Sequence, residues 1–349
     1  MLQVMAKKKI LVIGYGGTIV MVVDPVRKAV VPAEDIKSIL QLVPELTKYA
    51  DISMAILSNK DSTNIGPTDW TRLVRYIKKR YAEFDGFVVT HGTNTMSYTA
   101  TALAFALGKT LAKPVVLTGS QLPLTVYGND ARFNFENAIH TAALASEQGI
   151  GEVMVVFDDK VLRACRTLKV SESSFAAFES PSFPELGDIR STGIHLSDRA
   201  MRKKTGRDLA EPQANFDASV LSIDLVPGLH PQPILEMMQH KLYDGLILKS
   251  HGAGSVPTEG EGSFLPLIHQ LSHEYNVPVV ITTKFLGGTS IKEINDEPAV
   301  LAVETGATPS GDMTDVASEV KLMWLLSHKD LTPQQVRQRI TRNFIGEIS

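Results

Sequence analysis

The sequence predicts an α/β fold in two parts. A larger N-terminal domain on a mostly parallel sheet is expected over residues 1–205, and a smaller C-terminal α/β domain over residues 206–349. Three observations carry this reading. Apolar runs of strand length alternate with helical patterns, the spacing of βαβ units. The alternation loosens after Lys169 and resumes near Val220. The length, 349 residues, corresponds to two domains of ordinary size.

Taken in order, strands are expected at Ile10–Ile13, Ile52–Leu57, Gly86–Val89, Pro114–Leu117 and Val153–Phe157. Each is a short apolar run, the signature of a strand buried on both faces. Between them, Asp69–Arg80, Tyr98–Leu107 and Arg132–Ser146 carry helical patterns. Thr68-Asp69 and Asn129-Asp130 supply N-cap chemistry for the first and third of these. Ser180-Pro181-Ser182-Phe183-Pro184 interrupts regular structure. Residues 197–218 are polar, with Arg199, Arg202, Lys203, Lys204 and Arg207 close together. A basic cluster without interleaved aromatic residues reads as a solvated linker rather than a nucleic-acid patch. Strands follow at Val220–Leu225, Gly245–Lys249 and Pro278–Thr282. Helices follow at Pro233–His240, Phe264–Tyr275, Ala299–Glu304, Thr314–Leu326 and Pro333–Arg342.

Composition narrows the function. The chain is 44% hydrophobic and 21% charged, as globular proteins are. A net charge of −3 gives no global attraction to nucleic acid or to an anionic membrane. The single cysteine, Cys165, excludes an intrachain disulfide framework and fits a reducing compartment. No apolar run reaches the roughly 18 residues that span a bilayer. Met1–Met5 is too short for a signal-peptide core. A cytoplasmic enzyme without nucleic-acid or membrane partners is expected. None of the nine histidines has metal-ligand spacing, so no metal or other cofactor is expected, and His91 reads as a structural group.

Chemistry concentrates where apolar runs end. Val88-Val89-Thr90-His91-Gly92-Thr93-Asn94-Thr95-Met96 passes from a strand into hydroxyl, amide and imidazole side chains around one glycine. In parallel α/β sheets, ligands bind at this end of the strands. Ile10–Ile13 likewise runs into Gly14-Tyr15-Gly16-Gly17-Thr18-Ile19. That segment is not a dinucleotide fingerprint, because the third glycine would fall at Ile19. Leu107-Gly108-Lys109-Thr110 is not a phosphate loop, because Leu103 stands where the leading glycine belongs. Asp61-Ser62-Thr63-Asn64 follows a strand and precedes a helix start. It reads as turn and capping chemistry, or as an anion site on Ser62, Thr63 and nearby N–H groups. Thr118-Gly119-Ser120-Gln121 ends another strand, and Arg163, Arg166 and Lys169 follow the fifth.

Together these segments resemble the L-asparaginase family, in its cytoplasmic type I form. The two threonine segments match its T-G-G-T-I and H-G-T-D-T-M signatures. Asp61–Asn64 is similar to its D-S-S-N segment, and Thr118–Gln121 to its T-G-S-Q. Arg163–Lys169 is similar to its R-x-x-R-x-x-K element, and Gly311–Leu326 to its G-D-M-T helix. The resemblance runs from about Lys9 to Ser327. It implies an asparaginase-like fold and an amidohydrolase that converts L-asparagine to L-aspartate and ammonia. It implies Thr18 as nucleophile, Thr93 as second threonine and Lys169 as base. Asp61, Ser62, Thr63, Asn94 and Ser120 become substrate-binding candidates, Ser62 and Thr63 for the α-carboxylate and Ser120 for the side-chain amide. It also implies a small-molecule amide as substrate and self-association into a homodimer or tetramer.

The chain departs from the family at identifiable places. Asn94 stands where the family has an aspartate that supports the lysine and meets the substrate's α-ammonium. A charge-assisted hydrogen bond contributes about 1.5–3 kcal/mol against about 1 for a neutral one. Val30 stands where the family's loop carries a tyrosine, and Tyr15 is the nearby phenol in sequence. Lys284–Ser290 diverges in a segment that contributes to a neighbour's site. Two further readings are compatible with these departures: a hydrolase for an amide without a free α-amine, and a non-catalytic small-molecule sensor on the same scaffold.

Overall fold

The computed structural model describes residues 7–17, 19, 21–24, 29–32, 43–198, 209–290 and 296–349, with backbone only at 21–24 and 29–32. The chain divides into two units, Met1–Ala214 and Asn215–Ser349. The boundary expected at residues 205 and 206, and the basic cluster from Arg199 to Arg207, lie outside the described residues.

The first unit opens with β1 (Lys9–Tyr15), followed by the antiparallel hairpin of β2 (Met21–Asp24) and β3 (Ala29–Pro32). Next come β4 (Asp51–Ser58), α1 (Pro67–Arg80), β5 (Gly86–Thr90), α2 (Met96–Leu107), β6 (Val115–Thr118), α3 (Ala131–Glu147) and β7 (Val153–Phe157). Strands β4, β1, β5, β6 and β7 are neighbours in that order and all parallel. The chain steps from β1 to one side and then to the other, so the strand order reverses beside β1. A crevice opens at such a point, outside the carboxyl ends of the strands.

These strands form because their residues are largely apolar and rich in β-branched side chains, and both faces of β1, β5, β6 and β7 are covered, while β4 at the edge is half-buried. Val12, Val88 and Val116 are in register and completely buried. With Ile10 they join Phe135, Ala138, Ile139 and Ala142 of α3 in one core. On the other face α2 packs on β6 and β7, and α1 packs on α2. Full burial of each large apolar side chain contributes about 1.5–3 kcal/mol. Helix α1 starts with Gly66 as N-cap and Pro67 at the first position, and Asp69 accepts the Gly66 N–H at 3.1 Å. The expected cap at Thr68-Asp69 is thus corrected: Asp69 acts from inside the first turn. At α3, Asn129 accepts the Arg132 N–H, while the Asp130 carboxylate turns back to the preceding loop.

An antiparallel edge extends the sheet beyond β7. It comprises β8 (Lys160–Arg163), β11 (Gly187–Arg190) and β12 (Gly193–Leu196). Asp158, at φ 51, makes the reversal into β8. The short strands β9 (Leu168–Lys169) and β10 (Phe178–Glu179) form a separate antiparallel pair.

The second unit is a parallel sheet of β13 (Val220–Asp224), β14 (Gly245–Ser250), β15 (Val279–Thr283) and β16 (Thr308–Pro309). Its helices are α4 (Pro231–Gln239), α5 (Leu265–His269), α6 (Glu297–Thr305), α7 (Asp315–Leu326) and α8 (Pro333–Ile340). The single helix expected over 264–275 is α5 followed by a π-helical turn at Gln270–Glu274. Within this unit Lys321 of α7 and Glu347 form a completely buried ion pair at 2.7 Å.

Candidate active site

Four strand ends converge in the first unit. Gly16-Gly17 follow β1, His91 to Asn94 follow β5, Gly119 to Gln121 follow β6, and Asn59 to Ser62 follow β4. Gly17, Asn59, Lys60, Asp61, Ser62, Gly92, Thr93, Asn94, Ser120 and Gln121 line a cavity of about 390 Å³. The approach is close because two residues lack a side chain. A Cβ on Gly17, at φ 86, would lie 2.6 Å from the His91 carbonyl oxygen, and one on Gly119 would lie 2.5 Å from the same atom.

The side chain of His91 is locked. It is completely buried, and desolvation holds its pKa down at about 4. The ring is therefore neutral, and its partners fix the tautomer. Trp70 Nε1 donates to Thr99 Oγ1 at 3.1 Å, so the Thr99 hydroxyl donates onward to His91 Nε2 at 2.9 Å. That leaves Nδ1–H to donate to the Gly92 carbonyl at 2.7 Å.

Lys169 reaches the site from β9. The segment before it is fixed by a buried ion pair, Arg163 to Glu152 at 2.6 Å, and by the guanidiniums of Arg163 and Arg166 over the Phe183 ring. Lys169 Nζ donates to Thr93 Oγ1 and to Asn94 Oδ1, each at 2.9 Å. Partial burial lowers its pKa below the ordinary lysine range, opposed by the charge of Glu172. A lysine that gives up its proton more readily, 2.9 Å from a hydroxyl, can take a proton from it.

The structure thus brings Thr93, Asn94, Lys169, Asp61, Ser62 and Ser120 together. Thr18 lies outside the described residues, between Gly17 of the cavity wall and buried Ile19. Thr63 is exposed and does not line the cavity; its N–H and hydroxyl both donate to Asp61 Oδ1, at 2.8 and 2.7 Å. This is capping chemistry for the turn Ser62–Asn64. Tyr15 does not face the cavity. Its buried phenol donates to the Asp69 carbonyl at 2.6 Å, and burial pushes its pKa up. Val30 pairs with Val23 in the hairpin, and its side chain lies outside the described residues.

Sequence reasoning missed several participants. Lys60 lines the cavity while ion-paired to Asp69 at 2.7 Å. Gln121 also lines it, with Nε2 donating to the carbonyls of Glu172 and Ser174. Asp130 accepts the N–H groups of Gln121 and Leu122, and Asn134 donates to the Gly119 carbonyl, so the loop carrying Ser120 is tied down. Asp130 and Asn134 fall in the segment Asn129–Asn134, which resembles the family's S-D-G-x-x-N element, but neither was given a role in the site.

Among the described residues no group of three His, Cys, Asp or Glu side chains could hold a metal ion. None of the described helices is long and apolar enough to cross a membrane.

Comparison with known proteins matches this architecture. The family described as "Asparaginase, N-terminal" matches residues 9–202, and "Glutaminase/Asparaginase C-terminal domain" matches residues 219–339. An L-asparaginase of Thermococcus kodakarensis is 35% identical over 98% of this chain and 99% of its own length. L-asparaginase 1 of Escherichia coli K12 is 32% identical over 99% of both. The solved structure of the thermostable L-asparaginase from Thermococcus kodakarensis superimposes with a TM-score of 0.87, covering 98% of this chain and 99% of that one.

Proposed function

The chain belongs to the asparaginase family of amidohydrolases, and on that premise we propose that it hydrolyses the side-chain amide of L-asparagine to L-aspartate and ammonia. The observation that carries this reading is the 2.9 Å contact of Lys169 Nζ with Thr93 Oγ1 beside a cavity of amino-acid size.

The Thr18 hydroxyl attacks the amide carbon and forms an acyl ester, and the C–N bond breaks with release of ammonia. A water held at Thr93, with Lys169 as proton acceptor, then cleaves the ester and restores the hydroxyl. Ser120 faces the amide, and the turn at Ser62 receives the carboxylate. The protein works as a homodimer or tetramer; the apolar side chains of Phe285 and Leu286, 56% and 65% exposed, are available for subunit contact.

Ammonia release from L-asparagine tests the reading. Native protein should turn over, and Thr18→Ala should be inactive while folded and still able to bind aspartate. Undiminished hydrolysis by that variant would remove Thr18 from its role. Sedimentation of an active monomer at micromolar concentration would remove the oligomer.

A further inference from the structure

We propose that the cavity hydrolyses ω-monoamides of dicarboxylic acids bearing a hydroxyl or keto oxygen beside the free carboxylate, with higher kcat/KM than L-asparagine. This rests on the amidohydrolase assignment of the site and extends it to one substituent of the substrate.

The direction of the Asn94 side chain carries the inference. Lys169 Nζ donates to Asn94 at 2.9 Å. An ammonium has donors only, so the atom facing it is the amide oxygen. The Nδ2 end is therefore turned away from Lys169, and no protein group among the described residues accepts from it. Asn94 lines the cavity, so what it presents to a bound molecule is a pair of N–H donors. Beside it stands Lys169, which makes no ion pair among the described residues. Among the described residues the one carboxylate in the lining is Asp61, and its Oδ1 accepts from the Thr63 N–H and hydroxyl.

The chain path fixes which part of a substrate meets these donors. Thr93 is bonded to Lys169, and Thr95 Oγ1 donates to the Ser62 carbonyl at 2.6 Å. Asn94 lies between them. A four-carbon substrate with its amide at Thr93 and its carboxylate at Ser62 passes its middle carbons over Asn94. An ammonium there meets the Nδ2 donors and finds no acceptor on Asn94. A hydroxyl or keto oxygen accepts from Nδ2 and so gains one hydrogen bond. The reaction is unchanged: water is consumed, the C–N bond breaks, and ammonia and the dicarboxylate are released.

The test is ammonia release from L-asparagine, from the 4-amide of malate and from 2-oxosuccinamate, by native and Asn94→Asp protein. The malate amide should exceed asparagine by about tenfold in kcat/KM, the ratio expected for one well-made hydrogen bond. Asn94→Asp, which restores an acceptor, should invert the order. Asparagine preferred by the native protein, or an unchanged ratio in Asn94→Asp, overturns the proposal and leaves the amidohydrolase assignment standing. No ammonia from any of the three amides, with the protein folded, overturns both.

Discussion

The carbonyl oxygen of His91 occupies the space where a side chain on Gly17 would begin, 2.6 Å from an ideal Cβ. The first and second signature segments therefore touch backbone to backbone, and one missing methyl group sets the spacing of the site.

Gly17→Ala should be damaging for two reasons. At φ 86 an alanine is strained by roughly 1–2 kcal/mol, and its methyl displaces His91 and Gly92. Turnover should fall by about a hundredfold, the order lost when reacting groups move by an ångström. Gly149→Ala is the control, because φ is 66 there and nothing lies within 4 Å of a Cβ. It should lose stability in a urea titration but keep its turnover.

Much of this arrangement was legible beforehand. The central parallel strands β1, β5, β6 and β7 were visible because each carries an unbroken apolar run that only a doubly covered sheet can bury. Thr93, Lys169, Ser62 and Ser120 were proposed for the site from the family resemblance, and the fold brings them close together. The antiparallel edge was not visible: β8, β11 and β12 are four residues each, and polar residues such as Lys160, Asp188 and His195 interrupt them. Lys60 and Gln121 were given no role in the site because long polar side chains in loops look the same whether they face solvent or a cavity. Thr63 became a substrate-binding candidate through the resemblance of its segment to the family's D-S-S-N, and only the fold shows that its hydroxyl donates to Asp61.

Activity should depend on pH through Lys169. Burial lowers its pKa, so the neutral, proton-accepting form appears at a lower pH than for a free lysine, about 10.4. The kcat/KM profile should rise with pH and level off below that value. Lys169→Arg, which keeps its charge, should be nearly inactive with no such rise. A profile unchanged in Lys169→Arg would show that another group provides the base.

Thr93→Ala and Lys169→Met should each reduce turnover strongly, and the double variant should lose little more than either alone. Groups that act as a unit fail together. Effects that multiply would separate the two residues.

Stability should fall in mild acid through His91. Its pKa is about 4 in the fold against 6.5 for the free group, so the unfolded chain binds the extra proton between those values. The contribution is complete above pH 6.5 and is lost as pH falls toward 4. It amounts to about 3 kcal/mol, at 1.36 kcal/mol for each pH unit. Urea midpoints of native protein should drop across that window, and His91→Gln, which does not titrate, should show a shallower slope.

Lys321→Met should destabilise the second unit by about 3–5 kcal/mol, because Glu347 is left charged and buried. Adding Glu347→Gln should recover much of the loss. Equal denaturation midpoints for both variants would mean that the ion pair is not what fixes the chain there.

Lys321 is synthesised well before its counter-charge. Its Nζ also donates to the carbonyls of Ile340 and Arg342, and Glu347 accepts the N–H groups of Phe344 and Ile345. While Glu347 is still inside the ribosome, the nascent second unit holds a lysine with no anion to meet it. Until this late segment emerges, the Glu347 counter-charge for Lys321 of α7 is missing, whereas the strands of the first unit are all out earlier and can fold during translation. Proteolytic removal of Glu347 from the finished chain would break this pair again.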